Sequence, residues 1–246
     1  MLNNFLLFYF RNLRKEKTRI LNILSIALTL TFALLILFFV EDELSYDRWN
    51  ENANNIYRVA TYEKWPAKQF NSATSTVCTG PVLSSEFPEI KSFVRFVKIR
   101  NPNILIETRE FNEEKFFFAD STLFEIFPYE LLAGSREYAL AKPNSIVLTE
   151  KLAEKYFGEQ NSLGKTIQMN ETDYTVTGII NSNFNSHLQF NAVLSQQIKL
   201  SRDSTKNCGE KNVYTYVLTH EGSDIKKLTS KLPGFYEKYL NLGEGF

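Results

Sequence analysis

The side chains best suited to chemistry are few and widely spaced. They are two histidines and two cysteines: His187, His220, Cys78 and Cys208. Nucleophilic catalysis needs a base beside the nucleophile, and only Asn185-Ser186-His187 approaches that pattern. Adjacent residues generally point apart, and no GxSxG elbow occurs. A structural role for His187, fixing the turn before Leu188, is therefore favoured over hydrolysis.

The cysteines lie far apart in the chain, without a CxxC spacing or a neighbouring histidine cluster. In an oxidising compartment Cys78 and Cys208 could form a disulfide or remain two partly buried thiols, and the sequence leaves both open. No metal site or cofactor is predicted. We therefore predict no catalytic, cofactor-binding or metal-ligating residue and expect that the chain is not an enzyme.

Two arginines, Arg58 and Arg95, fall in predicted strands. Each could pair with a carboxylate such as Glu86 or Asp120, but exposure on solvated strand faces is the simpler interpretation. The chain has 28 basic and 28 acidic residues, so it carries no net charge. Nucleic-acid binding requires a basic stripe, so no nucleic-acid partner is expected.

One apolar segment organises the rest: residues 20–40, which begin at Ile20, end at Val40 and contain no charge. As a helix it would be about 31 Å long, close to the roughly 30 Å core of a bilayer. Its threonine hydroxyls can bond to the helix backbone. A buried core helix would rarely run so far without a charge, and a cleaved signal peptide would have a shorter apolar run. The segment is predicted to span a membrane.

The charges beside this segment predict its orientation. Five basic residues and one acidic residue lie at positions 11–19, whereas Glu41, Asp42, Glu43 and Asp47 follow the segment. Because basic flanks stay in the cytoplasm, the N-terminus is predicted inside and residues 41–246 outside. Residues 2–13 have an apolar stripe typical of an interfacial helix, although they could instead extend the spanning helix.

Alternating and helical patterns divide the exported part into strands and helices. A strand at 56–62, a helix at 73–87 and a strand at 93–99 form a β-α-β unit. Residues 104–108 and 115–119 are predicted hairpin partners. A helix at 150–157 has an N-cap at Thr149 and a stop at Gly158. A final strand at 213–219 precedes a helix extending to about residue 240.

The order of these features resembles the N-terminal part of permease subunits of the MacB/FtsX class of ABC transporters. The resemblance covers nearly the whole chain. Besides the basic arm and the apolar span, it rests on DELSYDRWNENANNIYRV (42–59), FPEI (87–90), FFFADSTLFEIFPYELLAG (116–134), SIVLTEKLAEKYFGEQNSLGKTI (145–167), YTVTGII (174–180) and NSHLQF (185–190).

The resemblance implies an α+β fold, in which one transmembrane helix precedes a two-lobed MacB-like periplasmic domain. A porter-like β-α-β lobe would be built from both ends of the domain, with a sabre-like lobe inserted between them. The expected divisions are a cytoplasmic arm (1–19), the transmembrane helix (20–40), a stalk (41–55), an incomplete porter-like lobe (56–100 and 212–246), the sabre-like lobe (101–191) and a polar connection (192–211).

The resemblance also implies a function and partners. Family members carry three further transmembrane helices after this domain, so the 246 residues are expected to be either an N-terminal fragment or a truncated gene product. No GxxxxGK[ST] sequence occurs, so ATP hydrolysis is expected on a separate cytoplasmic ABC ATPase subunit. Further expected partners are a second permease subunit, the lipid bilayer of the inner (plasma) membrane and, outside, an adaptor or cargo. The substrate-binding residues are unknown.

An alternative of another class is a single-span extracytoplasmic sensor or ligand-binding domain. It has the right topology, but a sensor needs an output module, and only residues 1–19 would lie inside. An exported enzyme is a third hypothesis, and it would depend on His187.

Overall fold

The structure, a computed structural model, divides into two compact units, Met1–Asp47 and Arg48–Phe246. It describes residues 2–47, 49–65, 68–158, 160–182, 186–195 and 212–239. Side chains are described from residue 17 onward within these ranges, except those of 63–70 and 236–239. The predicted trio at 185–187 and the predicted polar connection at 192–211 therefore lie partly outside the described residues, and Cys208 lies wholly outside them.

The first unit is one helix, α1 (Leu2–Ser45), of 44 residues. Its part Lys17–Ser45 is long and apolar enough to cross a membrane. Thr29 and Thr31 donate their hydroxyl hydrogens to the carbonyls of Ser25 and Ala27, both at 2.8 Å, so these polar groups are satisfied within the helix. The backbone is helical through arm and span without a break. This continuity agrees with the alternative in which residues 2–13 extend the spanning helix.

The second unit mixes strands and helices, as predicted. Its described helices, besides a 3-10 turn at Ala53–Asn55, are α2 (Thr79–Glu86), α3 (Leu123–Ile126), α4 (Glu150–Phe157) and α5 (Ile225–Tyr239). Its described strands are β1 (Ile56–Val59), β2 (Thr61–Trp65), β3 (Lys68–Ser72), β4 (Ile90–Ile99), β5 (Asn103–Ile106), β6 (Arg109–Asn112), β7 (Phe116–Ala119), β8 (Leu131–Gly134), β9 (Ser145–Thr149), β10 (Thr166–Met169), β11 (Thr172–Ile180), β12 (Ala192–Ser195) and β13 (Val213–Thr219).

All described strands except β2 and β3 belong to one mixed sheet. Its order is β1-β13-β4-β7-β12-β9-β11-β10-β5-β6, with β8 beside β11, while β2 and β3 form a separate hairpin. Strand β7 joins the two halves, since it pairs antiparallel with β4 and parallel with β12. The regions assigned to the porter-like and sabre-like lobes are thus hydrogen-bonded into one sheet.

Three buried apolar clusters pack against this sheet. One lies within the porter-like region and includes Leu83, Phe87 and Phe235. A second, around Ile104 and Ile167, comes entirely from residues 99–194. The third combines residues of both regions, because Phe96 packs with the loop residues that follow β7 and with residues of β13. The two regions therefore share hydrophobic core as well as backbone pairing.

Several elements differ from the sequence predictions. The predicted hairpin of 104–108 with 115–119 is wrong: β5 pairs with β6 through a two-residue turn at Glu107, whose φ is 55°. Apolar alternation alone could not distinguish this partner from β7. The predicted helix at 73–87 is shortened to α2 because Ser75 forms a β-bridge with Val213. The predicted strand at 56–62 divides into β1 and the start of β2.

The region predicted as a polar connection begins with a strand. All four residues of β12 are buried, and the strand lies between β7 and β9. Strands pair with β12 along both of its edges and all of its side chains are buried, so a run of four residues suffices for a central strand. By contrast, α4 has the predicted bounds, and Gly158 follows it with a φ of 63°.

Candidate functional site

The Arg95 side chain in the middle of β4 makes three hydrogen bonds. Its Nε donates to Asp120 Oδ2 at 2.8 Å and its Nη2 to Asp120 Oδ1 at 2.6 Å. The side chains of Arg95 and Asp120 are only 5% and 14% exposed. This is a bidentate, buried ion pair. The preferred interpretation of Arg95 as a solvated residue is wrong, whereas Arg58 is exposed on β1 as expected.

The third bond of Arg95 ties this pair to the start of α2. Nη1 donates to the carbonyl oxygen of Val77 at 2.7 Å. The next residue, Cys78, is 3% exposed and disulfide-bonded. The chain has one other cysteine, Cys208. The alternative of two free thiols is thereby excluded for Cys78, and the approach to α2 is held by an ion pair and a disulfide.

The described contacts of His187 are with aromatic side chains. Its Nε2 lies 2.7 Å from the Tyr216 hydroxyl, and its ring lies near that of Phe127. The neighbouring Ser186 is fully buried, and its Oγ accepts a hydrogen bond from the Leu188 N–H. These contacts fix the approach to Leu188, the role that the sequence favoured for this segment.

Two further ion pairs fasten loops to helices. Lys231 on α5 bonds to Glu89 Oε1 at 2.9 Å, and the hydrogen bond from this ammonium lowers the pKa of Glu89. Lys155 on α4 bonds to Glu113 Oε1 at 2.6 Å. Burial, followed by the charge of Glu113, raises the pKa of Tyr156. Both ion pairs therefore have a structural role, since each carboxylate is bound by the lysine beside it.

Residues 164–166 have the glycine, lysine and threonine that end the sequence motif of a phosphate-binding loop. Gly164-Lys165-Thr166 follows Gly158 with five intervening residues, one more than the P-loop spacing. It leads from a helix into β10, whereas a P-loop leads from a strand into a helix. Lys165 Nζ bonds to Gln160 Oε1 at 2.8 Å. This segment therefore lacks the geometry of a phosphate cradle.

Two surface depressions are wide enough to receive a ligand or a peptide segment. An apolar groove of about 360 Å³ lies beside β1, between α2 and α5, and is lined by residues including Val59, Leu83 and Leu232. A polar depression of about 470 Å³ lies near β5 and β10. Neither contains a described nucleophile with an adjacent base. Among the described residues, no group of three His, Cys, Asp or Glu side chains could hold a metal ion.

Solved structures of permease domains share this α+β fold. A domain of a provisionally named permease protein from Porphyromonas gingivalis has a TM-score of 0.65 at 20% identity, over 77% of this chain and 83% of that one. The periplasmic region of MacB from Actinobacillus actinomycetemcomitans gives 0.51 at 17%, over 67% and 76%. The extracellular domain of the ABC-type transporter YknZ from Gram-positive bacteria gives 0.52 at 15%, over 75% and 96%. At these identities the likeness shows the fold.

The family follows from the sequence match itself. The family described as "MacB-like periplasmic core domain" matches residues 20–234, which include the apolar helix as well as the α+β domain. The chain belongs to this family. No curated protein matches the chain.

Proposed function

We propose that the chain is the membrane subunit, or the N-terminal part of it, of an ABC transporter of the MacB/FtsX class. A separate cytoplasmic subunit hydrolyses ATP, and the movement passes through the membrane helices to the outer domain. The observation that carries this proposal is the family match, which runs from the apolar helix into the domain in one chain.

The proposed location is the inner (plasma) membrane, with the N-terminus in the cytoplasm. The excess of basic residues before the apolar segment and of acidic residues after it supports this orientation. The disulfide bond at Cys78 supports it independently, because structural disulfides persist in oxidising compartments and are rare in the cytosol. The charge pattern and the disulfide thus favour an exported domain.

In this proposal the ATPase subunit, and not this chain, generates the force. The described domain has many buried contacts and no phosphate cradle at Gly164, so it suits a passive mechanical part better than a motor. Two permease subunits and two ATPase subunits would form the working unit. The outer domain would then change its arrangement around a cargo, an adaptor or another signalling partner.

Affinity purification from the native host tests this proposal. The full-length gene product, tagged and solubilised in mild detergent, is expected to retain an ABC ATPase subunit. A variant ATPase that binds ATP without hydrolysing it should be retained more strongly, because ATP-bound dimers hold both permease subunits. Purification of the membrane protein without any ATPase, under conditions that preserve a known transporter of this class, would contradict the proposal.

A further inference from the structure

The chain enters the outer domain through two residues that are held in its core. Trp49 and Asn50 belong to the motif DELSYDRWNENANNIYRV, and both precede the first strand of the domain. Asn50 is only 4% exposed although its side chain is polar. A buried amide must be hydrogen-bonded to avoid a desolvation cost. Its partners therefore indicate what this position does.

Asn50 uses both ends of its amide group. Its Nδ2 donates to the carbonyl oxygen of Ile126 at 3.1 Å, across 76 positions of the chain. Its Oδ1 accepts the Asn52 N–H at 2.9 Å. Ile126 is the last residue of α3, where helix carbonyls lack partners within the helix. One side chain thus caps α3 and shapes the local turn.

Trp49 adds an apolar contact at the same place. Its ring centroid lies 4.9 Å from that of Tyr129, which is 1% exposed. Tyr129 in turn stacks on Phe127 and meets Phe190 edge-on. Aromatic contacts of this kind stabilise packing beyond the burial of area. Trp49 and Asn50 therefore contact the segment 126–129 through two independent interactions, an aromatic contact and a hydrogen bond.

The residues just before this segment are bonded to the long strand β4. Ser92 Oγ donates to Glu125 Oε2 at 3.0 Å, and Arg95 pairs with Asp120 just before α3. Contacts therefore continue from Asn50 through α3 into β4, which pairs with both β13 and β7. Coupling between distant parts of a protein is carried by contiguous packed and hydrogen-bonded groups of this kind.

We propose that Trp49 and Asn50 are the coupling anchor of this domain, the positioning residues that keep its attachment to the membrane helix short. Only residues 46–48 separate the anchor from the end of α1 at Ser45. Without the anchor, the first fixed element would be β1, and residues 46–55 would become a tether. At about 3.5 Å per residue, the tether would lengthen from roughly 10 Å to roughly 35 Å.

The difference matters because helix movements in switching proteins are small. Shifts of about 1–2 Å, or of one turn of about 5.4 Å, are typical. A tether of roughly 35 Å could absorb such a movement, whereas a short one transmits more of it. The anchor's role in coupling rests on the proposed function, but its effect on tether length can be measured on this chain alone.

Single-molecule pulling on the full chain in detergent micelles tests the anchor. DNA handles are attached through Leu44→Cys at the end of α1 and Tyr138→Cys in the domain, both at exposed positions. The double variant Trp49→Ala/Asn50→Ala should be longer at low force by about seven residues, roughly 25 Å at full extension. Wild type should show the same lengthening only as a discrete step at higher force.

Three controls separate an anchor from general stability. Asn191→Ala removes a similar bond, from Asn191 Nδ2 to the Glu114 carbonyl, and should leave the tether unchanged. Trp49→Phe should lengthen at a force between those of the double variant and wild type, because it keeps an aromatic ring against Tyr129. Amide exchange should rise at residues 52–55 in the double variant, but not in β4 or β13.

Equal low-force extensions in wild type and the double variant would overturn the anchor, as would an equal lengthening in Asn191→Ala. A rise of exchange throughout β4 and β13 would also overturn it, by showing a global loss of stability. The pulling experiment involves no ATPase, so its failure is distinguishable from the failure of the transporter proposal. If the double variant has a longer tether but the protein binds no ATPase, the anchor is supported and the transporter proposal is contradicted.

Discussion

At the scale of single residues, Arg95 connects three parts of the chain that are distant in sequence. Its guanidinium group bonds to Asp120 after β7 and to the Val77 carbonyl before α2, while its backbone belongs to β4. A buried charge is tolerated only when it is paired and hydrogen-bonded. Loss of either partner therefore leaves an uncompensated charge in the core.

We expect Arg95→Met to lower the free energy of unfolding by about 3–5 kcal/mol, the usual cost of breaking a buried pair on one side. The double variant Arg95→Met/Asp120→Leu should lose less than the sum of the two single variants. Chemical unfolding followed by tryptophan fluorescence would measure these values. Lys91→Met is the matched control, because the exposed pair Lys91–Glu125 should contribute about 0–1 kcal/mol. Strictly additive losses in the double variant would contradict the coupling.

The Glu89–Lys231 pair predicts a dependence of stability on pH. Lys231 lowers the pKa of Glu89 in the folded chain, so the carboxylate stabilises the fold above its unfolded pKa of about 4.3. This contribution is lost as the pH falls through the lower, folded pKa. The difference in Tm between wild type and Lys231→Gln should therefore narrow between pH 6 and pH 3. A difference that stays constant over this range would contradict the prediction.

At the scale of elements, the approach of β8 to β11 depends on a glycine. Gly134 lies opposite Gly178 in this antiparallel pair and has a φ of 94°. A Cβ atom at Gly134 would lie 2.4 Å from the carbonyl oxygen of Thr177. No side chain fits at that distance without moving backbone. Strand β8 can therefore join the sheet in this register only with glycine at 134.

Gly134→Ala is expected to destabilise the fold by about 3 kcal/mol, through both the clash and the backbone angle. Gly158→Ala is the matched control, because Gly158 also has a positive φ but its added Cβ would meet nothing within 4 Å. Its cost should be lower, about 1–2 kcal/mol, from the backbone conformation alone, since residues other than glycine rarely adopt a φ of 63° with a ψ of −145°. Thermal unfolding of both variants would compare them. Equal losses would show that the close approach to Thr177 is relieved at little cost.

At the scale of the whole molecule, all described strands of the α+β domain except β2 and β3 form one continuous sheet, and its two regions share a core. The ladder bonds between β7 and β4 cross the expected boundary between the two lobes. Bending at this boundary would break ladder bonds and expose part of the cluster around Phe96. We therefore expect the porter-like and sabre-like regions of the described domain to move together, rather than to bend at the boundary between them.

The orientation of the whole chain can be tested in intact cells. Tyr138→Cys places a thiol at an exposed position in the domain, and a membrane-impermeant maleimide should label it from outside. The Cys78 sulfur is in a disulfide and should not react without reduction. Asn3→Cys, in the basic arm, should be labelled only after the cells are lysed. Labelling of Asn3→Cys but not of Tyr138→Cys in intact cells would reverse the proposed orientation.

The sequence by itself determined the elements whose signals are local. An uncharged run of 21 residues predicts a long apolar helix, so the part of α1 that is long and apolar enough to cross a membrane could be predicted. The bounds of α4 follow from the apolar stripe between Thr149 and Gly158. The family could be recognised because seven such features occur in a fixed order, and that recognition needed no contact between distant residues.

Only the tertiary structure decided which distant groups meet. The run of three phenylalanines at residues 116–118 predicts that β7 is a strand, but several other predicted strands could pair with it, so its place between β4 and β12 depended on the whole sheet. For the same reason Arg95 could be assigned to Asp120 only once these strands were paired. Asn50 looked like one polar residue among many in the predicted stalk. Its burial under α3 is set by packing across 76 positions, which no local pattern encodes.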